Sequence, residues 1–433
     1  MANEQGTLRF DAAIDDFRSR LPAHTSIQPD EAFSSWVVRV AERHGMSVQF
    51  LNHWLMGRGR QLFTEDVDRG AWQDFHNRIA KVTGLQSDEI RACTLRRYEG
   101  ALWGILPLHG HARWVIPLGK HGTARHGFGL QYCAKCLRDD ETPYLRLTWR
   151  LACSVCCPLH GELLCDRCPC CKQPVAPHRW GCGRIAPADT SGITHCECCG
   201  NDRRQFADHA IACSQDVVAA QREIEAAMDA GFATVLGRQT CLLSYFAGLG
   251  ILLSYLDCAE RSRMLWGRLG LELPRKESTR LSESRYFESG GVHHRASLLH
   301  ALSALRLSEP GLLPAALVAS GTTSSDLTRP LRRGCEEMPF WLWQCMKNGV
   351  NKAPYVPSDE EIVNAIRYQM RKDAVGRTRI RDVCALLGLS TNSSARVARA
   401  MHSLNAVARS RRVFQHQPLT EPALSHQTAG VQT

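Results

Sequence analysis

The sequence predicts a mostly α-helical, multi-domain protein: an N-terminal helix-turn-helix unit, a cysteine-rich module, and a helical C-terminal region with a second helix-turn-helix. Three observations support this fold class. The chain has 433 residues, which is too long for one ordinary domain. Apolar residues recur at helical spacing along much of it. Thirteen of its twenty cysteines fall between positions 133 and 199, which marks a separate module.

Near the N-terminus, two short helices are predicted on either side of a tight turn. The apolar positions of the first helix have the spacing of one buried face: Phe33, Trp36, Val37, Val40 and Ala41. Gly45 is expected to end this helix, and Ser47 to cap a second one that ends near Gly57. Helix pairs of this kind also occur in many proteins that never contact DNA. Two further helices are predicted at 72–82 and, capped by Ser87, at 88–95.

A helix is also predicted inside the cysteine-rich segment, where Pro143 could start it. Tyr144, Leu147 and Leu151 would share its apolar face. Arg146 would lie four residues from Arg150 on another face. The two arginines could bind phosphate or an acidic partner, or they could form a solvated face.

The cysteine-rich segment contains four pairs of ligand-type residues, each with a two-residue gap. A C-x2-C turn directs two thiolates at one tetrahedral cation, while the N–H groups of the turn offset part of their charge. Four such pairs predict two structural Zn2+ ions and therefore a tandem zinc-finger module. The predicted ligands of the first site are Cys133, Cys136, Cys157 and His160. Those of the second are Cys168, Cys171, Cys196 and Cys199.

Disulfides and buried free thiols are the alternatives to metal binding. The polar, acidic start of the chain lacks the pattern of a secretory signal, so we expect the reducing cytoplasm, where disulfides do not persist. The scattered cysteines elsewhere are expected to be small buried hydrophobes. Other thiols in the module compete as ligands, with Cys182 as the first substitute. They are Cys153, Cys156, Cys165, Cys170, Cys182 and Cys198.

The segment after the module is predicted to be helical throughout, with a buried helix at 241–256. Beyond it, Ser358 begins a capping box that opens another helix. A second helix-turn-helix follows, its first helix beginning at Ile380 and its second capped by Ser393 or Ser394. Basic residues flank this unit, an arrangement that attracts phosphates. The residues predicted to bind nucleic acid are Arg396 and Arg399, with Arg411 and Arg412 as phosphate contacts.

Composition narrows the function further. The formal net charge of +10 favours a polyanionic partner, although a solvated basic surface is an equal alternative. The sequence contains no P-loop, no G-x-S-x-G elbow and no H-E-x-x-H motif. Two complete four-ligand sets would leave a zinc ion no room for a substrate, so we expect no enzyme. The most apolar stretch is too short and too interrupted for a membrane helix.

Several motifs occur in an order that resembles one known family. They are the run from Pro29 to Ala41, Thr83-Gly-Leu85, Tyr132-Cys-Ala-Lys-Cys136, Pro143-Tyr144 with Trp149-Arg150-Leu151, Cys157-Pro-Leu-His160-Gly161 and Cys168-Pro-Cys-Cys171. Over about 29–200 the chain resembles the TniQ (TnsD-like) family of transposition target-selection proteins. The extra thiols depart from the family pattern and leave the last two ligands of the second site open.

The resemblance implies a non-catalytic adaptor with the eight zinc ligands given above. Such an adaptor recognises a target DNA site or an RNA-guided CRISPR effector complex. It then recruits an AAA+ ATPase regulator and, through it, the transposase complex; some relatives form a homodimer. No membrane partner is expected, and the location would be cytoplasmic, at the nucleoid. The alternatives are a stand-alone zinc-containing helix-turn-helix transcriptional regulator and a zinc hydrolase or nuclease.

The predicted organisation has six segments. They are an N-terminal extension at 1–27, a helix-turn-helix-like helical domain at 28–130, a double zinc-binding module at 131–206, a helical domain at 207–350, a C-terminal helix-turn-helix domain at 351–415 and a disordered tail at 416–433.

Overall fold

The structure is a computed structural model that describes residues 20–57, 62–70, 73–118, 129–182, 189–274, 287–328, 338–347, 357–372, 378–387, 389 and 394–415, the last eleven as backbone only. The described residues are mostly helical with few strands, which confirms the predicted fold class. The chain divides into two compact units, Met1–Val356 and Pro357–Thr433. The predicted extension and tail lie largely outside the described residues. The six segment boundaries remain predictions.

The first unit contains helices joined by many short turns. Its described helices are α1 (Phe33–Arg43), α2 (Val48–Met56), α3 (Gln73–Thr83), α4 (Ser87–Ala92), α5 (Ala134–Asp139), α6 (Gln215–Ala230), α7 (Leu242–Leu256), α8 (Ala259–Arg268), α9 (Val292–Ala304), α10 (Leu312–Ala319), α11 (Ser324–Thr328) and α12 (Phe340–Lys347). Two antiparallel hairpins are described, β1 (Cys156–Cys157) with β2 (Glu162–Leu163) and β3 (Phe232–Val235) with β4 (Arg238–Cys241). One continuous core extends from Ala32 to Met346.

Most of helix α1 is buried in this core. Its predicted apolar face is buried, but Ser34, Ser35 and Val38 are buried as well, so α1 is enclosed on more than one side. The two hydroxyls remain satisfied because Ser34 donates to Asp68 at 2.9 Å and Ser35 donates to Glu31 at 2.9 Å. These pairings explain how Ser34 and Ser35 can be buried on a helix whose sequence pattern is amphipathic.

The turn into α2 follows the sequence prediction, whereas the start of α4 does not. The Ser47 hydroxyl accepts a hydrogen bond from the N–H of Phe50 at 3.1 Å, the predicted cap. The predicted cap of α4, Ser87, is instead its first helical residue. Glu89 provides the contact at this end, because its carboxylate accepts from the N–H of Gln86 at 2.7 Å.

The helix predicted to start at Pro143 does not form. The structure has one short 3-10 turn there, Thr148–Arg150. The backbone before it pairs with the chain leading into α1: the N–H of Ala32 donates to the carbonyl of Leu145 at 2.9 Å. A helix would use those backbone groups internally, so the long-range pairing overrides the local pattern.

The two arginines of this segment are structural residues, contrary to the suggestion that they form a binding face. Arg150 is 1% exposed and pairs with Asp66 at 2.6 Å and Asp68 at 3.3 Å. The Arg146 guanidinium pairs with Asp140 at 3.1 Å and lies over the ring of Trp149. Buried charges persist when they are paired, and the carboxylates that pair Arg150 come from a distant part of the chain.

The region after the module is not helical throughout, because the β3–β4 hairpin interrupts it. Leu236 and Gly237 both have positive φ, of 52° and 72°. That backbone is the type of two-residue turn that joins twisted antiparallel strands. The hairpin follows α6, whose N-terminus is capped by the Ser214 hydroxyl.

Helix α7 is the predicted buried helix, and α12 packs against it. The indole of Trp341 occupies the space where Gly248 lacks a side chain. Its N–H donates to the carbonyl of Ser244 at 2.9 Å. Among the described helices, no single one is long and apolar enough to cross a membrane; α7 and α8 meet that criterion together, but as a pair bent by 98°.

The second unit has three described helices, α13 (Asp359–Lys372), α14 (Ile380–Leu386) and α15 (Ser394–Gln415). They enclose a small core that includes Ile362, Ile366, Val383 and Val397. As predicted, the Ser358 hydroxyl accepts from the N–H of Glu361 at 2.9 Å. The arrangement is compatible with a helix-turn-helix. The candidate cap Ser393 lies outside the described residues.

The burial of His76 makes folding of the first unit depend on pH. Its ring lies 4.4 Å from the ring of Phe33, and burial, followed by the charge of Arg96, lowers its pKa to about 4. The unfolded chain therefore binds a proton near pH 6.5 that the folded chain rejects until about pH 4. Stability from this group is fully present above pH 6.5 and is lost as the pH falls towards 4.

We expect wild type to lose about 1.5 kcal/mol more than His76→Asn between pH 6.5 and pH 5. Urea unfolding at each pH measures this difference. His24→Asn, at an exposed site, is the matched control and should retain the wild-type pH dependence. Identical pH dependence in His76→Asn and wild type would contradict the assignment.

Candidate metal centres

The structure brings together the four predicted ligands of the first site. Cys133 precedes α5, Cys136 lies within it, and Cys157 and His160 belong to the β1–β2 hairpin. The Nδ1 atom of His160 lies 3.4 Å from each of the three sulfurs, and the sulfurs of Cys136 and Cys157 are 3.5 Å apart. The cysteines are buried and the histidine is partly exposed.

The second site draws its four predicted ligands from two separate turns. The sulfurs of Cys168 and Cys199 lie 3.7 Å apart, and those of Cys171 and Cys196 lie 3.6 Å apart. Within each site, all four ligand atoms lie within 4.8 Å of one another. This site is nearer the surface, because Cys199 is exposed whereas Cys168 and Cys196 are buried.

Three of the turns share one backbone form. In each, the N–H of the fourth residue after a cysteine donates to the carbonyl of that cysteine: Gly161 to Cys157, Lys172 to Cys168, and Gly200 to Cys196. Each donor residue has positive φ, between 60° and 77°. Glycine accepts this conformation without strain, and Lys172 adopts it at some cost.

The thiols of the first site cannot all ionise while they face only one another. Hydrogen bonds from Cys133 and Cys136 lower the pKa of Cys157 to about 2, while hydrogen bonds with Cys133 and Cys157 raise the pKa of Cys136 far above its ordinary value. One thiolate is therefore stabilised at the expense of its neighbours. A divalent cation among them removes this conflict, since it favours the ionised form of every thiol.

The thiols of the second site also oppose one another's ionisation, but less strongly. Burial raises the pKa of Cys171 above its usual range. At Cys199, burial raises the pKa, but hydrogen bonds from Asn201 and the neighbouring thiols bring it down to about 7.

Both donor sets fit a tetrahedral metal ion. Bonds of about 2.0 to 2.3 Å to four tetrahedral donors produce donor–donor distances of about 3.5 to 3.8 Å. The measured separations of 3.4 to 3.7 Å correspond to that geometry. Either cluster could therefore hold a metal ion, and thiolate with imidazole is the donor chemistry of structural zinc.

The competing thiols belong to neither four-donor cluster. Cys182 is exposed and donates to the carbonyl of His178 at 3.7 Å, outside the second cluster. Cys153 and Cys156 are buried in the core, and Cys156 contacts Gln221 at 3.2 Å. Cys170 and Cys198 occupy equivalent positions in their two turns, and both are exposed.

A buried arginine that sequence analysis missed holds the second site against the core. Arg203 is 1% exposed and donates to the carbonyl of Gly192 at 2.7 Å and to the carboxylate of Glu197 at 2.6 Å. Glu197 lies between the ligands Cys196 and Cys199. The next residue along the chain from Arg203, Arg204, instead pairs with Asp202 near the surface. The sequence alone does not indicate which of these two arginines is buried.

The two sites are also joined to each other and to the surrounding helices. Tyr132 and Cys165, which precede the first ligands of each site, exchange backbone hydrogen bonds at 3.0 and 2.8 Å. The carboxylate of Glu42 in α1 accepts from the hydroxyl of Ser191 at 2.7 Å, close to the second site. The side chain of Asp166 accepts from the N–H of Val292 at the start of α9 at 2.9 Å.

The arginines predicted to contact nucleic acid lie on α15 in the second unit. Arg396 is partly exposed and pairs with Asp359 of α13 at 2.6 Å. Arg399 is exposed, one helical turn further on. Arg411 and Arg412 belong to the backbone-only end of α15, so their side chains lie outside the described residues.

Substitution of one ligand at either site should remove one metal ion and leave the other. We expect Cys136→Ser and Cys171→Ser each to lower the metal content of the purified chain from two ions to one, because serine stays protonated and binds zinc poorly. Inductively coupled plasma mass spectrometry measures the ratio. Cys182→Ser is the matched control and should keep both ions. Loss of an ion in that control would show that the second site uses a different donor.

No curated protein matches the chain. Residues 22–164 match the TniQ family model. The match includes α1 to α5 and all four ligands of the first site, and it ends before the ligands of the second. Residues 22–164 of this chain are therefore similar to the TniQ domain.

Proposed function

We propose that this protein is a non-catalytic transposition target-selection adaptor. The TniQ domain at 22–164 carries the proposal. In such a role the chain recognises an insertion target and recruits an AAA+ ATPase regulator, which brings in the transposase complex. The target is a DNA site or an RNA-guided CRISPR effector complex, and a homodimer is a further assembly compatible with the role. The proposed location is the cytoplasm, at the nucleoid, where the target DNA lies.

The metal centres support an adaptor in preference to a zinc enzyme. Each centre offers four protein donors at tetrahedral separations, and both would be filled by the protein alone. A catalytic zinc keeps one position for water or substrate. We therefore assign zinc a structural role at both centres, where it would fix Cys133, Cys136, Cys157 and His160 in one, and the four thiolates of the other.

We further propose that α15 contacts DNA in the direct mode of target recognition. Val397 faces the small core of the second unit, while Ala395, Arg399 and His402 are exposed at i, i+4 and i+7. One face of the helix is therefore anchored and the opposite face is available. An anchored helix with an exposed arginine is the element that such domains place in the major groove.

Recruitment of the ATPase tests the adaptor proposal. The purified full chain should retain an AAA+ ATPase regulator of transposition in a pull-down, and should direct insertion when ATPase, transposase and target are supplied. A Cys136→Ser chain is the matched control and should lose both properties, because the TniQ domain contains the first centre. Tight binding to a palindromic operator with no retention of ATPase would favour the stand-alone regulator instead.

The DNA contact makes a separate prediction about salt dependence. We expect Arg399→Ala and Arg396→Ala each to weaken binding to a random-sequence duplex and to lower the slope of log K against log salt by about 0.9 per lost phosphate contact. Fluorescence anisotropy over a KCl series measures the slope.

The matched control is Arg306→Ala, which removes an equal charge from an exposed site in the first unit. It should leave the slope unchanged. A wild-type slope in the Arg396→Ala, Arg399→Ala double variant would count against α15 while leaving the adaptor proposal intact.

A further inference from the structure

The first metal centre has a charged neighbour outside its four ligands. Helix α5 ends at Asp139, three residues after the ligand Cys136 and six after Cys133. The Oδ2 atom of Asp139 lies 3.5 Å from Nε2 of His160. The other ring nitrogen, Nδ1, is the one that faces the three sulfurs at 3.4 Å.

The position of Asp139 affects the orientation of the His160 imidazole. A histidine binds a metal through one nitrogen, and the proton on its other nitrogen needs an acceptor that fixes both the tautomer and the ring orientation. His160 is partly exposed and lies in a short turn, so packing alone constrains it less than the three buried cysteines. A carboxylate at Nε2 favours a proton on that atom and leaves the lone pair of Nδ1 directed at the sulfurs.

We propose that Asp139 is a positioning residue for the first centre, acting on the metal through His160. Helix α5 and its N-cap residue, Cys133, then supply two ligands directly, and the last residue of the helix orients a third. The inference rests on the centre holding a metal, and it does not depend on the transposition role.

A second contact supports this role. Arg138 donates to Asp139 at 3.0 Å and to Asp208 at 2.9 Å. Exposed pairs of this kind contribute little to stability. The geometry matters more: Oδ1 of Asp139 faces the arginine while Oδ2 faces His160. Asp208 shares the arginine, and its substitution provides a charge-matched control for Asp139.

The test is a double-mutant cycle with His160→Cys. A cysteine at 160 would make the first centre a four-thiolate site, which has no imidazole to orient. Zinc affinity is measured on the full chain by stepwise competition with a chelator, which reports the two centres as separate steps. Asp139→Asn should weaken one step by about tenfold, the lower end for an outer carboxylate because the group is half exposed. In the His160→Cys background the same change should have less than about a twofold effect.

Asp208→Asn should leave zinc affinity unchanged in both backgrounds. An equal loss from Asp139→Asn with His160 and with Cys at that position would make Asp139 a structural residue and overturn the proposal. If Asp139→Asn leaves zinc affinity unchanged in both backgrounds, Asp139 is an ordinary surface acid, and the proposal is likewise overturned.

A spectroscopic measurement covers the case in which His160→Cys fails to fold. Nitrogen-15 NMR of the zinc-loaded wild type should show His160 protonated at Nε2. In Asp139→Asn the Nε2 proton should exchange with solvent several times faster. Equal exchange rates in the two proteins would contradict an interaction between Asp139 and His160.

Discussion

The close approach of four donor atoms at each of two points is the constraint on which the middle of this protein depends. Regular structure there is sparse: α5 has six residues, and β1 and β2 have two each. Elements so short cannot stabilise themselves. Structural zinc supplies about 10–16 kcal/mol in zinc-finger peptides, as much as the whole stability of an ordinary domain. A zinc ion bound at each centre would therefore hold the turns that carry the ligands, and with them the positions at which these turns contact the rest of the chain.

The metal-binding segment and the helices of the first unit are joined by buried polar contacts between distant parts of the chain. Arg295 of α9 is fully buried and donates to the carbonyl of Ala152 at 2.6 Å and to Gln131 at 2.8 Å. Glu288 accepts from the N–H of Trp114 at 2.8 Å. Removing one partner of a buried charged contact costs several kcal/mol, so these contacts hold the helices and the metal-binding turns in one arrangement. A rigid first unit suits a protein whose proposed role is to place other proteins at a site.

The features that the sequence predicted correctly depend on contacts between residues close together in the chain, and the features that it missed depend on contacts between distant residues. The grouping of the ligands is a local property, because a two-residue gap already directs two donors to one point. The Ser47 and Ser358 caps are local too, since each acts within three residues. By contrast, Arg150 and Arg399 look alike in sequence. Arg150 is buried because it pairs with Asp66 and Asp68, more than eighty residues upstream. Arg399 is exposed, and no carboxylate among the described residues of the second unit pairs with it.

The pair between Arg396 and Asp359 shows how the second unit can be basic and still fold without an anion. Arg396 is about one-third exposed and Asp359 is 90% exposed, so their attraction is largely screened and contributes roughly 0–1 kcal/mol. A charge-assisted hydrogen bond from arginine to phosphate is stronger than this, and it also releases counterions from the nucleic acid. A phosphate would therefore displace Asp359 at small cost. Before a phosphate binds, the Asp359 carboxylate restricts the conformations of the Arg396 side chain, which reduces the entropy that the arginine loses on binding the phosphate.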